Sequence, residues 1–301
     1  MVAQSLHLRV SPSVSVSLPK DFKGSSFGSL TLFVQPTKWN PIVVSPTHYQ
    51  ASCRLRYNAR HFLYAQTAHN GEVLSMDSGE PESKPRRKSL AVFVSGGGSN
   101  FKSIHLATLN GAVLGDVVVL VTNKRDCGGA AYARDNSIPV VLFPRSKEEP
   151  EGLSADDLVT ILRKFKVDFT LLAGYLKLIP VELVREYPKR ILNIHPSLLP
   201  AFGGKGYYGM KVHKAVIASG ARYSGPTIHF VDEQYDTGKI LAQRVVPVCA
   251  FDTPEELAAR VLHEEHRLYV DVVAALCEDR ITWRDDGVPL IQSKEDPNQY
   301  C

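Results

Sequence analysis

Five short apolar runs alternate with stretches of helical spacing, and this rhythm limits the fold more than any other feature of the chain. The runs are Leu90-Ala-Val-Phe-Val94, Asp116-Val-Val-Val-Leu-Val121, Pro139-Val-Val-Leu-Phe143, Asp168-Phe-Thr-Leu-Leu-Ala173 and Arg190-Ile-Leu-Asn-Ile194. Strands covered on both faces are apolar throughout, whereas strands with one wet face alternate. Helical stretches lie between them: Phe101, Ile104, Ala107 and Leu109 in the first, then residues 128–136, 155–165 and a short one near 180–187. Strand, helix and strand in succession build parallel pairs with right-handed crossovers. The expected class is α/β, a doubly wound, mostly parallel sheet. Beyond residue 226 the rhythm changes. Thr227-Ile-His-Phe-Val231 and Ile240-Leu-Ala-Gln-Arg-Val-Val-Pro-Val248 flank a polar stretch, 232–239, which predicts a hairpin or a mixed-sheet extension. Thr253-Pro254-Glu255-Glu256 reads as an N-cap, Pro at N1 and acids in the first turn, opening a long helix to about Cys277. Ile281-Thr-Trp-Arg284 and Val288-Pro-Leu-Ile291 predict a terminal hairpin.

The front of the chain is different in kind. Residues 1–71 carry one acid, Asp21, against seven bases, and are crowded with serine, as in Ser11-Pro-Ser-Val-Ser-Val-Ser17. Acid-poor, Ser-rich and Arg-containing is the composition of an organelle transit peptide. The expected organisation is a transit peptide at 1–72, a polar linker at 73–88 and a catalytic domain at 89–301. Serine dominance without an Arg-rich amphipathic helix favours the plastid, with the mitochondrion as the alternative. The leader has a net charge of +6 in a chain whose net charge is +4, so the remainder is near −2 and no nucleic-acid partner is expected. No run of 18 apolar residues occurs, so no membrane span is expected. The five cysteines show neither CxxC pairing nor metal-type spacing, and no metal is expected.

Four places bear on chemistry. Asn193 and His195 stand two apart at the end of an apolar run, before Pro196-Ser197-Leu198-Leu199-Pro200. In a strand they share a face, roughly 6 to 7 Å apart, so an amide donor and an imidazole point into one space. The turn Ser95-Gly96-Gly97-Gly98-Ser99-Asn100 lies between the first strand and first helix, where backbone amides and a helix N-terminus favour a phosphate. It is neither a dinucleotide fingerprint, which needs Gly where Phe101 stands, nor a P-loop. Asp236 in the polar 232–239 stretch follows His229, and spacing alone does not place it beside His195. Arg260-Val-Leu-His-Glu-Glu-His266 lacks the order of a zinc helix and reads by itself as a charged helix face.

In order along residues 89–285, Val94-Ser-Gly-Gly-Gly-Ser-Asn100, Leu172-Ala-Gly-Tyr175, Leu192-Asn-Ile-His-Pro-Ser-Leu-Leu-Pro200, Thr227-Ile-His-Phe-Val231 through Asp236-Thr-Gly238, and Glu264-Glu-His266 resemble the folate-dependent phosphoribosylglycinamide formyltransferases. Five separated motifs agree, and the leader suggests a plant plastid version. The resemblance implies a Rossmann-like formyltransferase fold and transfer of the formyl group of 10-formyltetrahydrofolate, a cosubstrate, to the amine of phosphoribosylglycinamide, without metal. It implies Asn193, His195 and Asp236 as the catalytic trio. It implies Gly98, Ser99, Asn100, Leu262, His263, Glu264 and Glu265 at the ribonucleotide, and Leu176, Lys177, Leu178, Ile179, Asn193, Asp232, Glu233, Gln234, Tyr235 and Asp236 at the folate. In that reading protonated His195, kept charged by Asp236, donates to the oxyanion beside Asn193. The partners expected are small molecules, with a homodimer left open. Gly97 stands where many relatives carry a side chain. The stretch after Pro200, Ala-Phe-Gly-Gly-Lys-Gly-Tyr-Tyr-Gly-Met210, is longer than the turn of bacterial relatives and suggests a mobile cover over 203–209. The alternatives within the class are a methionyl-tRNA formyltransferase, for which a large basic C-terminal domain is expected, and a formyltetrahydrofolate hydrolase. Outside the class stands a non-catalytic nucleotide-binding module.

Overall fold

The computed structural model describes residues 86–147 and 149–300. The expected transit peptide and residues 73–85 of the expected linker lie outside the described residues. The alternation of apolar runs and helices is realised as β1 (Lys88–Val94), α1 (Ser99–Leu109), β2 (Gly115–Thr122), α2 (Gly128–Asp135), β3 (Val140–Leu142), α3 (Ala155–Lys164), β4 (Phe169–Leu172), α4 (Val181–Glu186) and β5 (Ile191–His195). All five strands pair in parallel, in the order β3-β2-β1-β4-β5. Each face of the sheet has its own core. Leu90, Val92 and Val94 pack with Phe101 and Ile104 of α1 on one side, and Ala91 and Phe93 pack with Leu158, Leu162 and Leu183 on the other. That is why β1 is apolar at consecutive positions; each such large side chain contributes about 2 kcal/mol by leaving water. The chain winds outward from β1 to β3 and then returns to β4 beside β1. In sheets of this type the crevice at the strands' carboxyl ends, where the winding reverses, receives ligands.

The second half adds α5 (Met210–Ser219), β6 (Tyr223–Ser224), β7 (Thr227–Phe230), β8 (Ile240–Gln243), β9 (Val246–Pro247), α6 (Pro254–Cys277), β10 (Ile281–Trp283) and β11 (Pro289–Ile291). β7 joins β5 antiparallel and β8 joins β7 antiparallel, completing a seven-stranded mixed sheet. β10 and β11 form the terminal hairpin. Helix α6 starts as expected. Thr253 Oγ1 accepts from the Glu256 amide at 3.2 Å and Glu256 Oε2 from the Thr253 amide at 2.8 Å, with Pro254 at N1. Its buried residues Leu268, Tyr269, Val272, Val273 and Leu276 cover the α1 face of the sheet, and the Tyr269 hydroxyl donates to the carbonyls of Leu172 (3.2 Å) and Leu192 (3.3 Å).

Four details differ from expectation. Lys88, placed at the end of the linker, opens β1. The bases before and at that point are tied to the fold, Arg86 to Asp168 (2.6 Å), Arg87 to Asp116 (2.9 Å) and Lys88 to Asp279 (2.8 Å). Leu109 is 68% exposed, because the buried positions of α1 are Asn100, Phe101, Ile104, His105, Ala107 and Thr108. The 240–248 run is two strands. A Cβ on Gly225 would lie 1.8 Å from the Arg244 carbonyl, and beyond this close crossing β6 and β9 pair as a separate ladder. Finally, α5 follows directly on the glycine-rich stretch and buries Val212, His213 and Val216.

Candidate active site

The carboxyl ends of β4 and β5 open into a cavity of about 410 Å³. Asn193 and His195 reach its wall from β5, as period-two geometry requires. The antiparallel register sets Asn193 opposite His229 and His195 opposite Thr227. Asp236 comes from the turn after β7 at φ 57°, with its side chain nearly buried. Its Oδ2 lies 3.4 Å from His195 Nδ1 and its Oδ1 3.6 Å from His229 Nε2.

The hydrogen bonds fix which atoms can donate. His229 Nδ1 is 2.9 Å from the Phe230 carbonyl, which only accepts, so Nδ1 carries the proton. Nε2 of His229 then accepts from Asn193 Nδ2 at 3.0 Å. The second Asn193 N–H has only a long contact, 3.5 Å, to Asp236 Oδ1. His195 Nε2 donates to the Phe202 carbonyl at 2.8 Å. Burial pushes the His195 pKa below its ordinary value; the Asp236 carboxylate and the Phe202 carbonyl oppose this without cancelling it. The expectation that Asp236 keeps His195 charged is thus corrected: desolvation of a ring only 4% exposed outweighs one carboxylate at 3.4 Å. For Asp236, burial raises the pKa, but His229, His195 and the Gly204 amide, which donates to Oδ2 at 2.9 Å, together hold it below the usual carboxylate value. The result is an anionic carboxylate facing Nδ1 of an imidazole that favours its neutral form, with Nε2–H committed to Phe202.

Elsewhere in the cavity lining, α1 and α6 meet. Asn100 Nδ2 donates to Glu265 Oε2 at 2.7 Å, and burial pushes the Glu265 carboxyl above its ordinary pKa, with Asn100 opposing. Asn100 Oδ1 is buried and finds no hydrogen-bond partner among the described residues. Gly98 caps α1 at φ 71°, where a Cβ would lie 2.8 Å from Gly129 Cα, so the turn requires glycine there. No side chain caps α1, and the first amides of a helix have no partner within it.

The cavity gathers most, not all, of the expected residues. Asn100, Leu262, Glu265, Leu176, Lys177, Leu178, Ile179, Gln234, Tyr235, Asn193, His195 and Asp236 line it. Gly98 and Ser99 precede Asn100 without reaching the wall. His263 and Glu264 do not reach it either. Helical rotation puts Ala258, Leu262 and Glu265 on one face, and Glu264 instead pairs with Arg244 (3.1 Å) and Arg267 (3.4 Å) while His263 is exposed. Asp232 is spent on its own turn, accepting from Thr237 Oγ1 (2.8 Å) and the Gln234 amide (3.0 Å); Glu233 faces Arg185 at 3.4 Å. Tyr207 and Tyr208, expected only as part of a cover over 203–209, line the cavity; sequence reasoning missed Met210, His213 and the link of His229 to Asn193. His213 is 5% exposed with Nδ1 lacking a partner among the described residues; its placement depends on α5.

Residues 88–273 match the family described as formyl transferase. The chain is 77% identical over 215 residues to the chloroplastic phosphoribosylglycinamide formyltransferase of Vigna unguiculata, covering 71% of this chain and 69% of that one. It is 72% identical over 218 residues to the chloroplastic enzyme of the same name from Arabidopsis thaliana, covering 72% and 75%. Among solved structures, glycinamide ribonucleotide transformylase 1 from Symbiobacterium toebii superimposes with a TM-score of 0.61 at 30% identity, covering 70% of this chain and 97% of that one.

Proposed function

The chain belongs to the formyl transferase family, and from that premise we propose that it is a plastid phosphoribosylglycinamide formyltransferase of purine biosynthesis. It transfers the formyl group of 10-formyltetrahydrofolate to the amine of phosphoribosylglycinamide, giving formylglycinamide ribonucleotide and tetrahydrofolate. One observation carries the reading: a single cavity is lined both by Asn193, His195 and Asp236 and by the Asn100–Glu265 pair. That arrangement suits two substrates meeting at a carbonyl.

The ribonucleotide lies with its phosphate on the amides of Gly98, Ser99 and Asn100, where the α1 N-terminus favours an anion. The Glu265 carboxyl and the orphaned Asn100 Oδ1 accept from its hydroxyl or amine hydrogens. The folate takes the wall of Leu176, Lys177, Leu178, Ile179, Gln234 and Tyr235. The glycinamide nitrogen attacks the formyl carbon, forming the new C–N bond. Oxygen gains negative charge, and the loosely held Asn193 N–H turns to it. A preorganised donor of this kind contributes about 3 kcal/mol, and joining two reactants in one site about 7 kcal/mol or more. The proton of the attacking nitrogen passes to His195 Nδ1, where Asp236 3.4 Å away stabilises the imidazolium that forms. It is then delivered to N10 of the folate as the C–N10 bond breaks. A depressed imidazole pKa suits this exchange, because the ring must both take and release the proton. His195 is therefore a proton carrier, and Asn193 the oxyanion donor.

Residues 1–72 act as the transit peptide in this reading, and an intact Met1 on protein recovered from plastids would overturn it. Protein comprising residues 73–301 should formylate phosphoribosylglycinamide from 10-formyltetrahydrofolate in buffer containing a chelator. His195→Ala should lose at least about two decades in kcat while keeping its melting temperature within a few degrees. Full activity in that variant would refute the mechanism.

A further inference from the structure

Between β5 and α5 the main chain crosses back over the His195–Asp236 pair. The Phe202 carbonyl accepts from His195 Nε2 at 2.8 Å, and two residues later the Gly204 amide donates to Asp236 Oδ2 at 2.9 Å. That same oxygen lies 3.4 Å from His195 Nδ1. Imidazole, carboxylate and three residues of backbone thus close a ring. The segment contributes no polar side chain to it; its conformation alone does the work. That conformation is costly. Phe202 sits at φ 55° and Gly204 at φ 91°, and a Cβ on Gly203 would lie 2.4 Å from Leu199 Cδ2 and 3.4 Å from Asp236 Cβ. Left-handed backbone in a bulky residue such as Phe202 persists only where its surroundings impose it, and such strain gathers at functional sites. The segment then runs into the cavity wall, which Gly204, Gly206, Tyr207 and Tyr208 line.

We propose that residues 202–204 are a positioning segment for formyl transfer: their carbonyl and amide set the rotamers and separation of His195 and Asp236, and substrate pressing on the adjoining wall acts on the pair through them. The inference rests on the roles assigned above to His195 and Asp236. The groups facing the pair are few: His195 sees Asp236, His229 and, from α5, His213, while Asp236 sees His195 and His229. Against these the segment has a definite sign. A carbonyl on Nε2 favours the protonated ring and an amide on Oδ2 favours the ionised carboxyl. Together they keep the transferred proton on His195 rather than on Asp236 while it is carried.

Gly204→Ala in the full chain tests this, since alanine at φ 91° must rotate the peptide whose N–H serves Asp236. The expected result is a kcat lower by about tenfold, KM for both substrates changed less than about threefold, and the acid limb of the kcat–pH profile moved up by about half a pH unit. Gly220→Ala, at the left-handed end of α5 (φ 73°), imposes comparable strain outside the ring and should leave the acid limb in place. A readout independent of folding of the variant is the Gly204 amide resonance in the wild-type chain. It should shift with pH as the pair titrates, and that shift should vanish in Asp236→Asn. A pH-invariant amide, or a Gly204→Ala defect confined to KM, overturns the positioning role. The prior reading fails separately, through full activity in both His195→Ala and Asp236→Asn.

Discussion

Asn193→Ala tests the proposed oxyanion donor. In the folded protein the amide makes one good bond, to His229 Nε2 at 3.0 Å, and one long one, to Asp236 at 3.5 Å. Removing it therefore leaves the His229 acceptor unpaired beside the cavity, a cost of about 1–3 kcal/mol in folding stability. The kinetic loss is separate. A donor that engages only when the formyl oxygen becomes negative contributes about 3 kcal/mol, and at about 1.4 kcal/mol per decade this predicts a kcat lower by two decades. Because the proposed substrate contacts at Asn100, Glu265 and the 176–179 wall are untouched, KM should move by less than about threefold. The assay is steady-state formyl transfer under saturation with both substrates, with thermal melting on the same preparations. Asn193→Asp makes the conclusion sharper: it conserves shape but sets a second carboxylate against Asp236, so it should be at least as impaired as alanine. A folded Asn193→Ala enzyme within fivefold of wild-type kcat would refute the assignment of this amide to the oxyanion.

Glu265→Gln should raise KM for the ribonucleotide by about tenfold and yet raise the melting temperature at pH 8. A buried carboxyl whose pKa stands above its ordinary value favours folding while protonated and opposes it as pH rises through that value, so the gain should fade toward pH 4; a variant less stable than wild type at pH 8 would contradict this. Asp252 shows the opposite sign. Held down to about 2 by Arg260, whose guanidinium donates at 2.7 and 2.9 Å, it stabilises the fold above its ordinary pKa near 3.8 and ceases to as pH falls toward 2. Asp252→Asn should accordingly melt earlier than wild type at pH 7, with the gap closing in acid, and calorimetry across pH would expose a constant gap.

What could be read in the chain followed from periodicity. β1 to β5 were legible because strands buried on both faces cannot hide their apolar character, and Asn193 and His195 because residues two apart in a strand share a face. Asp236 was not, without the family resemblance, since its place depends on the register of β7 against β5, a long-range choice that the 232–239 turn does not encode. The same limit explains the split of the 240–248 run, where the cause is a close backbone crossing at Gly225 rather than anything in the run itself. Helix α5 was missed because Val212, His213 and Val216 make only a narrow buried stripe behind a glycine-rich lead. His263 and Glu264 were placed at the substrate through adjacency to Glu265, although rotation of about 100° per residue carries neighbours off the face.

Asn100 and Glu265 touch across 165 positions of sequence. A chain threaded through a membrane or a ribosomal tunnel from its N-terminus presents the α1 turn early and its facing carboxylate near the end. Until α6 emerges and docks, the proposed ribonucleotide seat is half built, so that ligand cannot stabilise a partial chain by mass action. The α1 face of the sheet, which Leu268, Tyr269, Val272, Val273 and Leu276 cover in the finished fold, waits on the same late helix.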